Sequence, residues 1–497
     1  MESLCLKNVV CLAPEKLRRL TPAARLALVL GWALGPAALL AARPDGQLLV
    51  RVTDAESGAP IAARITLTNS RGRPALPRGA AVAQFADHGY VDGQTLLALK
   101  LGKYVFDLDA GPEWRTARGE FQIERHADDE KTVAMSRAVD LAKERWYGAD
   151  VWGARTGEGL GVALRAEGLG YAPLIAFEQA GGRWRSTDAP AGAGPDFGPH
   201  AARLEGPSGA LLVFRVDGPL TAEDLSGLDA SVASLRGARA RGLRVVVDPA
   251  SWAFPAWLAG GVVDGVLVID ESSDRLGKGR RPADGRRFPG RRGAGRYREA
   301  CYFSALDAGL RLPPFAGSGS GEAQTPLGAG RTYALLSGGW STADWWRAAL
   351  AGQTFITNGP LLRVSAPPES DGSLPSGASL ATRNPIEYLE VVSNGRVTAS
   401  VPIRELAENR GRLPEVDPSL GGWVVLRAAT TAGDRYERAM TAPYYLDPPS
   451  DPAISRAACE AMLDWLRAAE AAGVDLGSDG PAAQAFWQQR RDSANRE

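Results

Sequence analysis

Strand-like and helix-like segments alternate through the middle of this chain, and this alternation restricts the fold more than any other feature. The helical segment GVALRAEGLG precedes the apolar strand YAPLIAF, and the later strands GALLVFRV, LRVVVDP and VDGVLVIDE are separated by LSGLDASVASLRGARARG and AFPAWLAGG. Apolar strands that are joined through helices usually lie parallel in one sheet. The pattern therefore predicts an α/β domain whose parallel sheet is open or closed into a barrel.

Acidic residues follow several of these predicted strands. Ligands of parallel α/β folds collect beyond the carboxyl ends of the strands, so acids at those ends are the candidate catalytic or metal-binding groups. They are Asp150, Glu178, Asp248, Asp270 and Glu271. Two neighbouring carboxylates can share acid and base catalysis, but salt-bridged acids are the commoner occupants of such positions. Both interpretations stay open at this point.

β-Rich segments flank the alternating region. GQLLVRVTDAESGAPIAARITLTNSRG alternates apolar and polar residues around a turn at Glu56-Ser57-Gly58, which predicts a hairpin inside a small antiparallel sandwich over residues 44–140. This stretch resembles carboxypeptidase-regulatory-like modules, with Gly102-Lys103-Tyr104 at their G-x-Y turn. PIEYLEVVSNGRVTASVPI predicts a second hairpin around Asn394-Gly395, in a sandwich over residues 366–448. A helix and a polar tail are expected over residues 449–497.

The first 42 residues have the pattern of an export segment. Basic residues between Lys16 and Arg25 precede an apolar run from Leu26 to Ala42. We expect a cleaved signal peptide or an uncleaved signal anchor, and hence a secreted or periplasmic protein of the cell envelope. The rest of the chain has no segment apolar enough to insert into a membrane. Its 57 basic and 57 acidic residues balance, so charge gives no reason to expect a nucleic-acid partner.

Several blocks between Trp146 and Val364 resemble the CehA/McbA-type metallohydrolases of the polymerase-and-histidinol-phosphatase (PHP) superfamily. They include RWYGADVWG, FPAWLAGGVVDGVLVID and TFITNGPLL, of which the last is the most specific. The resemblance implies a distorted β/α, TIM-like barrel over residues 145–365, with a metal cluster at the mouth of its strands. The predicted fold class is therefore multidomain, α/β plus all-β, with a PHP-like barrel flanked by two small antiparallel β-sandwich domains.

The family's metal ligands are missing at the matching positions. Its first block has the form Asp-Leu-His-x-His, whereas this chain has DVWGA, and its Thr-Asp-His and Asp-x-His blocks match AFE and SGS. The degenerate positions are Trp152, Ala154, Glu178, Ser318 and Ser320. The whole chain has three histidines, and a catalytic zinc site commonly needs three protein ligands. We expect no cofactor, or at most a divalent metal ion held by carboxylates.

A basic segment, DRLGKGRRPADGRRFPGRRGAGRYRE, precedes the last family blocks. Its arginines form either a solvated loop or a lip that binds an anion through paired guanidinium contacts. The candidate ligand-binding residues in it are Arg286, Arg287, Arg291 and Arg292. The partner expected for such a lip is an anionic small molecule or an acidic polysaccharide.

Together these features predict an exported, catalytically degenerate metallohydrolase-like protein. Its expected role is that of a pseudoenzyme or ligand-binding protein of the cell envelope. The alternative is a divergent metal-dependent hydrolase of ester, amide or phosphoester bonds that works through the remaining carboxylates. The missing histidines favour an inactive protein, and whether it is an enzyme stays open at this point.

Overall fold

A computed structural model describes residues 44–152, 159–173, 175–180, 183–186, 201–270, 279–319, 325–366, 374–414, 421–431, 435–447 and 451–494. Strands hold 37% of the described residues and helices 23%, so this part of the chain is mostly β-sheet. Among the described helices, none is both long and apolar enough to span a bilayer. The predicted export segment, residues 1–42, lies outside the described ranges and stays a prediction.

The first eight strands form one β-sandwich-like sheet in the order β7-β6-β2-β4-β5-β1-β8, with β3 paired to β4. The strands are β1 (Gly46–Asp54), β2 (Ala62–Asn69), β3 (Ala83–Gln84), β4 (Gly89–Asp92), β5 (Gln94–Leu99), β6 (Gly102–Asp109), β7 (Ala117–Ile123) and β8 (Asp128–Met135). The predicted turn is closed by an antiparallel bridge between Thr53 and Pro60, but β1 and β2 do not pair further: β1 pairs with β5 and β8, while β2 pairs with β4 and β6. Val52, Ile65 and Leu97 are buried in its core.

Strands and helices alternate in the middle of the chain, and a second β-rich stretch follows. The middle elements are β9 (Trp146–Ala149), α1 (Leu160–Glu167), β10 (Leu169–Tyr171), β11 (Ile175–Ala180), β12 (Arg183–Ser186), β13 (Ala201–Gly206), β14 (Gly209–Phe214), α2 (Val232–Ala240), β15 (Arg244–Val247), α3 (Phe254–Ala259), β16 (Gly265–Asp270), α4 (Arg291–Asp307) and β17 (Pro314–Gly317). The later ones are β18 (Arg331–Leu335), α5 (Thr342–Leu350), β19 (Thr354–Thr357), β20 (Leu361–Val364), β21 (Ala378–Ala381), β22 (Tyr388–Ser393), β23 (Arg396–Pro402), α6 (Ile403–Glu408), β24 (Gly422–Ala429), β25 (Arg438–Thr441), β26 (Tyr444–Leu446), α7 (Pro452–Ala471) and α8 (Asp479–Ser493).

These strands form two large sheets, and the strands predicted for the barrel are divided between them. A seven-stranded sheet has the order β12-β11-β13-β14-β15-β16-β17. A nine-stranded sheet has the order β10-β9-β18-β19-β25-β24-β22-β23, with β26 beside β24, while β20 pairs with β21. The prediction of a PHP-like, TIM-like barrel is therefore wrong for the described residues, which form several sheets and eight helices.

The direction of β14 gives one physical reason for this difference. This strand runs antiparallel to both of its neighbours, β13 and β15. Only Pro207 and Ser208 separate β13 from β14, and a connection of two residues permits a hairpin but not a parallel crossover. A β/α barrel needs a helical crossover between its parallel strands. Parallel pairing is kept between β15, β16 and β17.

The expected C-terminal sandwich does not form a sheet of its own. Its strands join β9, β18 and β19 in the nine-stranded sheet, because β25 pairs with β19. The predicted hairpin around Asn394-Gly395 is confirmed, since β22 pairs with β23. Both turn residues have positive φ, 47° for Asn394 and 72° for Gly395, as a tight hairpin turn requires.

Apolar side chains cover both faces of the seven-stranded sheet. Helices α3, α4, α7 and α8 pack against one face around Trp257, Tyr302 and Trp465. On the other face, Trp345 and Trp346 from α5 contact Phe315 of β17. This second core also holds Ala149 of β9, so it brings the carboxyl end of β9 toward that of β17. The candidate site lies at this junction.

Candidate functional site

The carboxylate of Asp150 links the two large sheets at the carboxyl ends of β9 and β17. Its Oδ1 accepts hydrogen bonds from the amides of Trp152 and Ser318, at 3.1 and 3.0 Å. Its Oδ2 accepts the amide of Gly328 at 2.8 Å and the hydroxyl of Ser318. A carboxylate has about four lone-pair positions, so protein donors occupy all of them. Burial raises the pKa of Asp150, and these four hydrogen bonds oppose that rise.

Trp152 is the position that the sequence resemblance matches to a histidine, and its indole fills space between the strand ends. The side chain is 3% exposed, and a Cβ added to Gly317 would lie only 2.4 Å from the Trp152 Cβ. The guanidinium of Arg203 lies 5.8 Å from the indole centroid. The indole Nε1 is buried without a hydrogen-bond partner among the described residues. Ala154 and Ser320, two more degenerate positions, lie outside the described residues.

Glu178 on β11 lies beside Arg203 on β13, and the two residues are in register in the parallel pair. Arg203 Nη2 lies 3.0 Å from Glu178 Oε1, so this strand-end acid forms an ion pair with a neighbouring strand. Glu271 was predicted alongside it, but residues 271–278 lie outside the described ranges. The structure therefore brings Glu178 next to a cation.

Asp248 and Asp270 share the guanidinium of Arg298, which projects from α4. Arg298 Nη2 lies 3.0 Å from Asp248 Oδ2 and 3.6 Å from Asp270 Oδ2. Arg280 binds the same Asp248 oxygen through its Nε at 2.9 Å and also pairs with Glu205. Burial disfavours the charged form of Asp248, but the two arginines outweigh it and lower its pKa to about 2. These acids are neutralised ion-pair partners rather than accessible acid–base groups.

The donor set at this junction does not fit the metal cluster of the family. Asp150 has no lone pair left, an indole lies at the position that the resemblance matches to an imidazole, and guanidinium groups lie beside the other acids. Across the described ranges, no three side chains of His, Cys, Asp or Glu come together in a metal-binding group. A cation here would have to displace protein hydrogen bonds and face arginine charges, which is unfavourable.

The basic segment contains both exposed and engaged arginines. Arg286 and Arg287 are exposed, and Arg287 lies against the ring of Phe288 at 5.3 Å. Arg291 begins α4, whereas Arg292 donates to the carbonyl oxygens of Thr430 and of Thr431, the latter at 2.9 Å. Arg286 and Arg287 are therefore exposed candidates for the predicted lip, whereas Arg292 holds the end of β24.

Sequence reasoning missed the roles of Arg280 and Arg298, because both belong to the same basic segment and their acidic partners are distant in the chain. One local signal was present. Arg298 lies between Tyr297 and Cys301 on a helix whose buried side chains are apolar apart from Arg298 and Glu299, and a buried cation needs an acid as partner. The helical spacing of these residues would have directed Arg298 inward.

A polar cleft of about 320 Å³ was also missed, since it is built from segments far apart in sequence. It lies where the first sheet, the loop before β18, the end of β19 and the loops before β22 and β25 meet. Its charged lining side chains are Arg64, Asp109, Glu167, Arg331, Arg383, Arg435 and Glu437. Gly328, which binds Asp150, also lines the cleft, so the two places share one loop.

Comparison with known proteins adds little. No protein-family profile matches the chain, and no curated protein matches it. A solved structure, "The Bacillus anthracis TIE protein", is similar over 22% of this chain and 19% of that one, at 16% identity and a TM-score of 0.16. This chain therefore spans less than a fifth of the length of that protein, and so low a score supports no conclusion about fold or function.

Proposed function

We propose that this chain is an exported, catalytically inactive relative of the CehA/McbA-type metallohydrolases that serves as a ligand-binding protein of the cell envelope. The observation that supports it best is the state of Asp150, the one acid kept from the family's first ligand block. Its four acceptor positions are filled by Trp152, Ser318 and Gly328. A carboxylate in that state acts as a tie between strand ends and has no electron pair to give to a metal.

The environment of the other acids favours the same proposal over a divergent hydrolase. A general base near neutral pH needs a pKa near the working pH and access to substrate. Asp248 is 1% exposed with a pKa of about 2, and Glu178 is paired with Arg203. Neither acid meets those needs. The sequence pattern of residues 1–42 supports the envelope location.

The decisive experiment measures bound metal and hydrolysis together. The full chain is produced in medium supplied with zinc, manganese and magnesium, its metal content is measured, and it is assayed with p-nitrophenyl acetate and bis(p-nitrophenyl) phosphate. We expect substoichiometric metal and no turnover above a buffer blank. One or more equivalents of tightly held metal, with turnover that a chelator removes, would contradict the proposal.

A matched pair of variants makes the experiment sharper. Asp150→Asn alters the buried tie, and Glu460→Gln alters an exposed acid on α7. If the chain were an enzyme that uses Asp150, turnover would fall only in the first variant while both remained folded by circular dichroism. We expect instead that neither variant shows turnover, and that Asp150→Asn is less stable than Glu460→Gln.

A further inference from the structure

The cleft lined by Arg64, Arg331, Arg383, Arg435 and Glu437 contains a chain of alternating charges. Arg383 holds Asp109 through two nitrogens at 2.8 Å each, and Asp109 also accepts from Arg64 at 3.0 Å. Arg64 Nε then donates to Glu167 at 2.8 Å, and Glu167 lies 3.6 Å from Arg331. Five side chains from separate parts of the chain thus form one network beside the cleft.

The network has more positive than negative charge. Three guanidinium groups face two carboxylates, and the rim adds one of each in Arg435 and Glu437. Glu113 also attracts Arg331, but it is not among the cleft's lining residues, and burial raises the pKa of its carboxyl group. An excess guanidinium in a concave, largely buried place attracts an anion more strongly than one on an open surface.

The guanidinium of Arg64 has N–H groups that are not used in its ion pairs. Its Nε and Nη2 bind the two carboxylates, while its Nη1 makes no hydrogen bond to any described residue. The Arg64 side chain is 19% exposed, so its charge is only partly screened by water. A planar guanidinium that is held in place by two acids presents its remaining N–H groups in a fixed direction, which suits the oxygens of an anion.

We propose that this cleft binds a small ligand through an oxyanion group, a carboxylate, phosphate or sulfate, with Arg64 as the principal contact and Arg435 at the rim. This inference rests on the proposed binding function and gives it a site and a ligand class. Uncharged polar side chains of Asn358, Thr382 and Asn384 line the same cleft, and each also makes a hydrogen bond within the protein.

The size and lining of the cleft narrow the ligand class further. A volume of about 320 Å³ is at the small end for ligand sites, which favours a small molecule over a polysaccharide chain. Among the residues lining the described cleft there is no aromatic side chain, so a sugar ring would have no stacking surface. The anion must therefore contribute most of the recognition, through charge-assisted hydrogen bonds.

Calorimetric titration of the full chain at low ionic strength tests this proposal. The probes are sodium glucuronate, inorganic phosphate and sulfate, and glucose serves as the uncharged match for glucuronate. We expect at least one oxyanion to bind, more weakly as salt is added, and glucose to give no signal. The three anions distinguish a carboxylate site from a phosphate or sulfate site.

Variants assign the binding to the cleft. Arg64→Lys keeps the charge but loses the fork of donors, and Arg435→Gln removes the charge at the exposed rim. Each is expected to weaken binding about tenfold, the usual effect of losing one charge-assisted hydrogen bond. The double variant Arg286→Ala/Arg287→Ala changes the exposed arginines of the basic segment and should leave affinity unchanged.

Three outcomes would overturn the proposal: no oxyanion binds, glucose binds as tightly as glucuronate, or the basic-segment variant abolishes binding while the two cleft variants do not. Each leaves the metal and turnover measurements unaffected. The proposal that the chain is catalytically inactive is contradicted by metal-dependent turnover. The cleft proposal can therefore fail while the inactivity proposal stands, and the reverse. Circular dichroism of Arg435→Gln, an exposed position, controls for folding.

Discussion

The hydroxyl of Ser318 donates to Oδ2 of Asp150, and this contact joins the end of β17 in one sheet to the end of β9 in another. The amide of Ser318 donates to the other oxygen of the same carboxylate at 3.0 Å. One acid thus holds two strand ends through both polar groups of a single serine. The contact is buried on both sides, so its loss has to appear in the stability of the fold.

Ser318→Ala should destabilise the protein, because it removes one of two donors to a buried carboxylate oxygen. Leaving a buried acceptor less satisfied costs about 1–3 kcal/mol of unfolding free energy. Urea denaturation followed by tryptophan fluorescence measures the change. Ser226→Ala, at an exposed position, is the control and should change stability little. Equal midpoints for the two variants would contradict the role of Ser318.

Gly317→Ala should be destabilising for a steric reason. A Cβ at this position would lie 2.4 Å from the Trp152 Cβ and 2.6 Å from the Trp152 amide nitrogen, closer than real atoms approach. The backbone of β17 or the segment at Trp152 must therefore move, at a cost of about 1–3 kcal/mol. Gly338→Ala, where a Cβ meets nothing within 4 Å, is the matched control in the same thermal melt.

Arg298→Met should be the most damaging of these changes. It leaves Asp248 and Asp270 buried with fewer cationic partners, and removing one side of a buried ion pair costs about 3–5 kcal/mol. Chemical denaturation at pH 7 measures the loss. An exposed arginine on α7, changed in Arg467→Met, controls for the loss of one charge. A loss no larger than that of the control would contradict a structural role for the cluster.

The ion pairs of Asp248 also predict how the stability of the fold changes at acidic pH. The folded-state pKa of Asp248 is about 2, below its ordinary value of 3.8, so its ion pairs stabilise the fold fully above pH 3.8. That contribution is lost as the pH falls from about 3.8 toward 2. Denaturation midpoints measured at intervals between pH 5 and 2 should fall for the natural chain. The fall should be smaller in a chain carrying Asp248→Asn.

For Asp307 we predict the opposite dependence of stability on pH. Burial raises its pKa to about 6, while the indole Nε1 of Trp423 donates to its Oδ1 at 2.9 Å. The folded state thus holds a proton that the unfolded state has released, so stability falls as the pH rises from 3.8 to about 6. Asp307→Asn keeps an acceptor for Trp423 and should raise stability by about 1–2 kcal/mol at pH 7.5. An unchanged melting temperature at that pH would refute this prediction.

Local features of the fold were predictable from the sequence. The turn at Asn394-Gly395 follows from two residues that tolerate positive φ, and the strands β14, β15 and β16 follow from short apolar runs. How the strands are assigned to sheets was not predictable, because it depends on connections. Two residues between β13 and β14 reverse the direction of a strand without altering the strand pattern itself.

The candidate site, like the fold, was predictable from the sequence only in part. Asp150 could be placed at a strand end from its neighbours, but its four donors come from Trp152, Ser318 and Gly328, and the last two lie far along the chain. The cleft arginines could not have been found, since Arg64 and Arg383 are more than 300 residues apart and meet only through Asp109. Long-range pairing of this kind leaves no periodic signal in a single sequence.

The backbone of Gly328 couples the Asp150 carboxylate to the cleft. Its amide donates to Asp150, and its carbonyl oxygen accepts from Nε of Arg331 at 2.6 Å, so both backbone polar groups of this residue are committed. Because the same loop residue also binds an arginine that lines the cleft, freeing the Asp150 carboxylate would disturb both places at once.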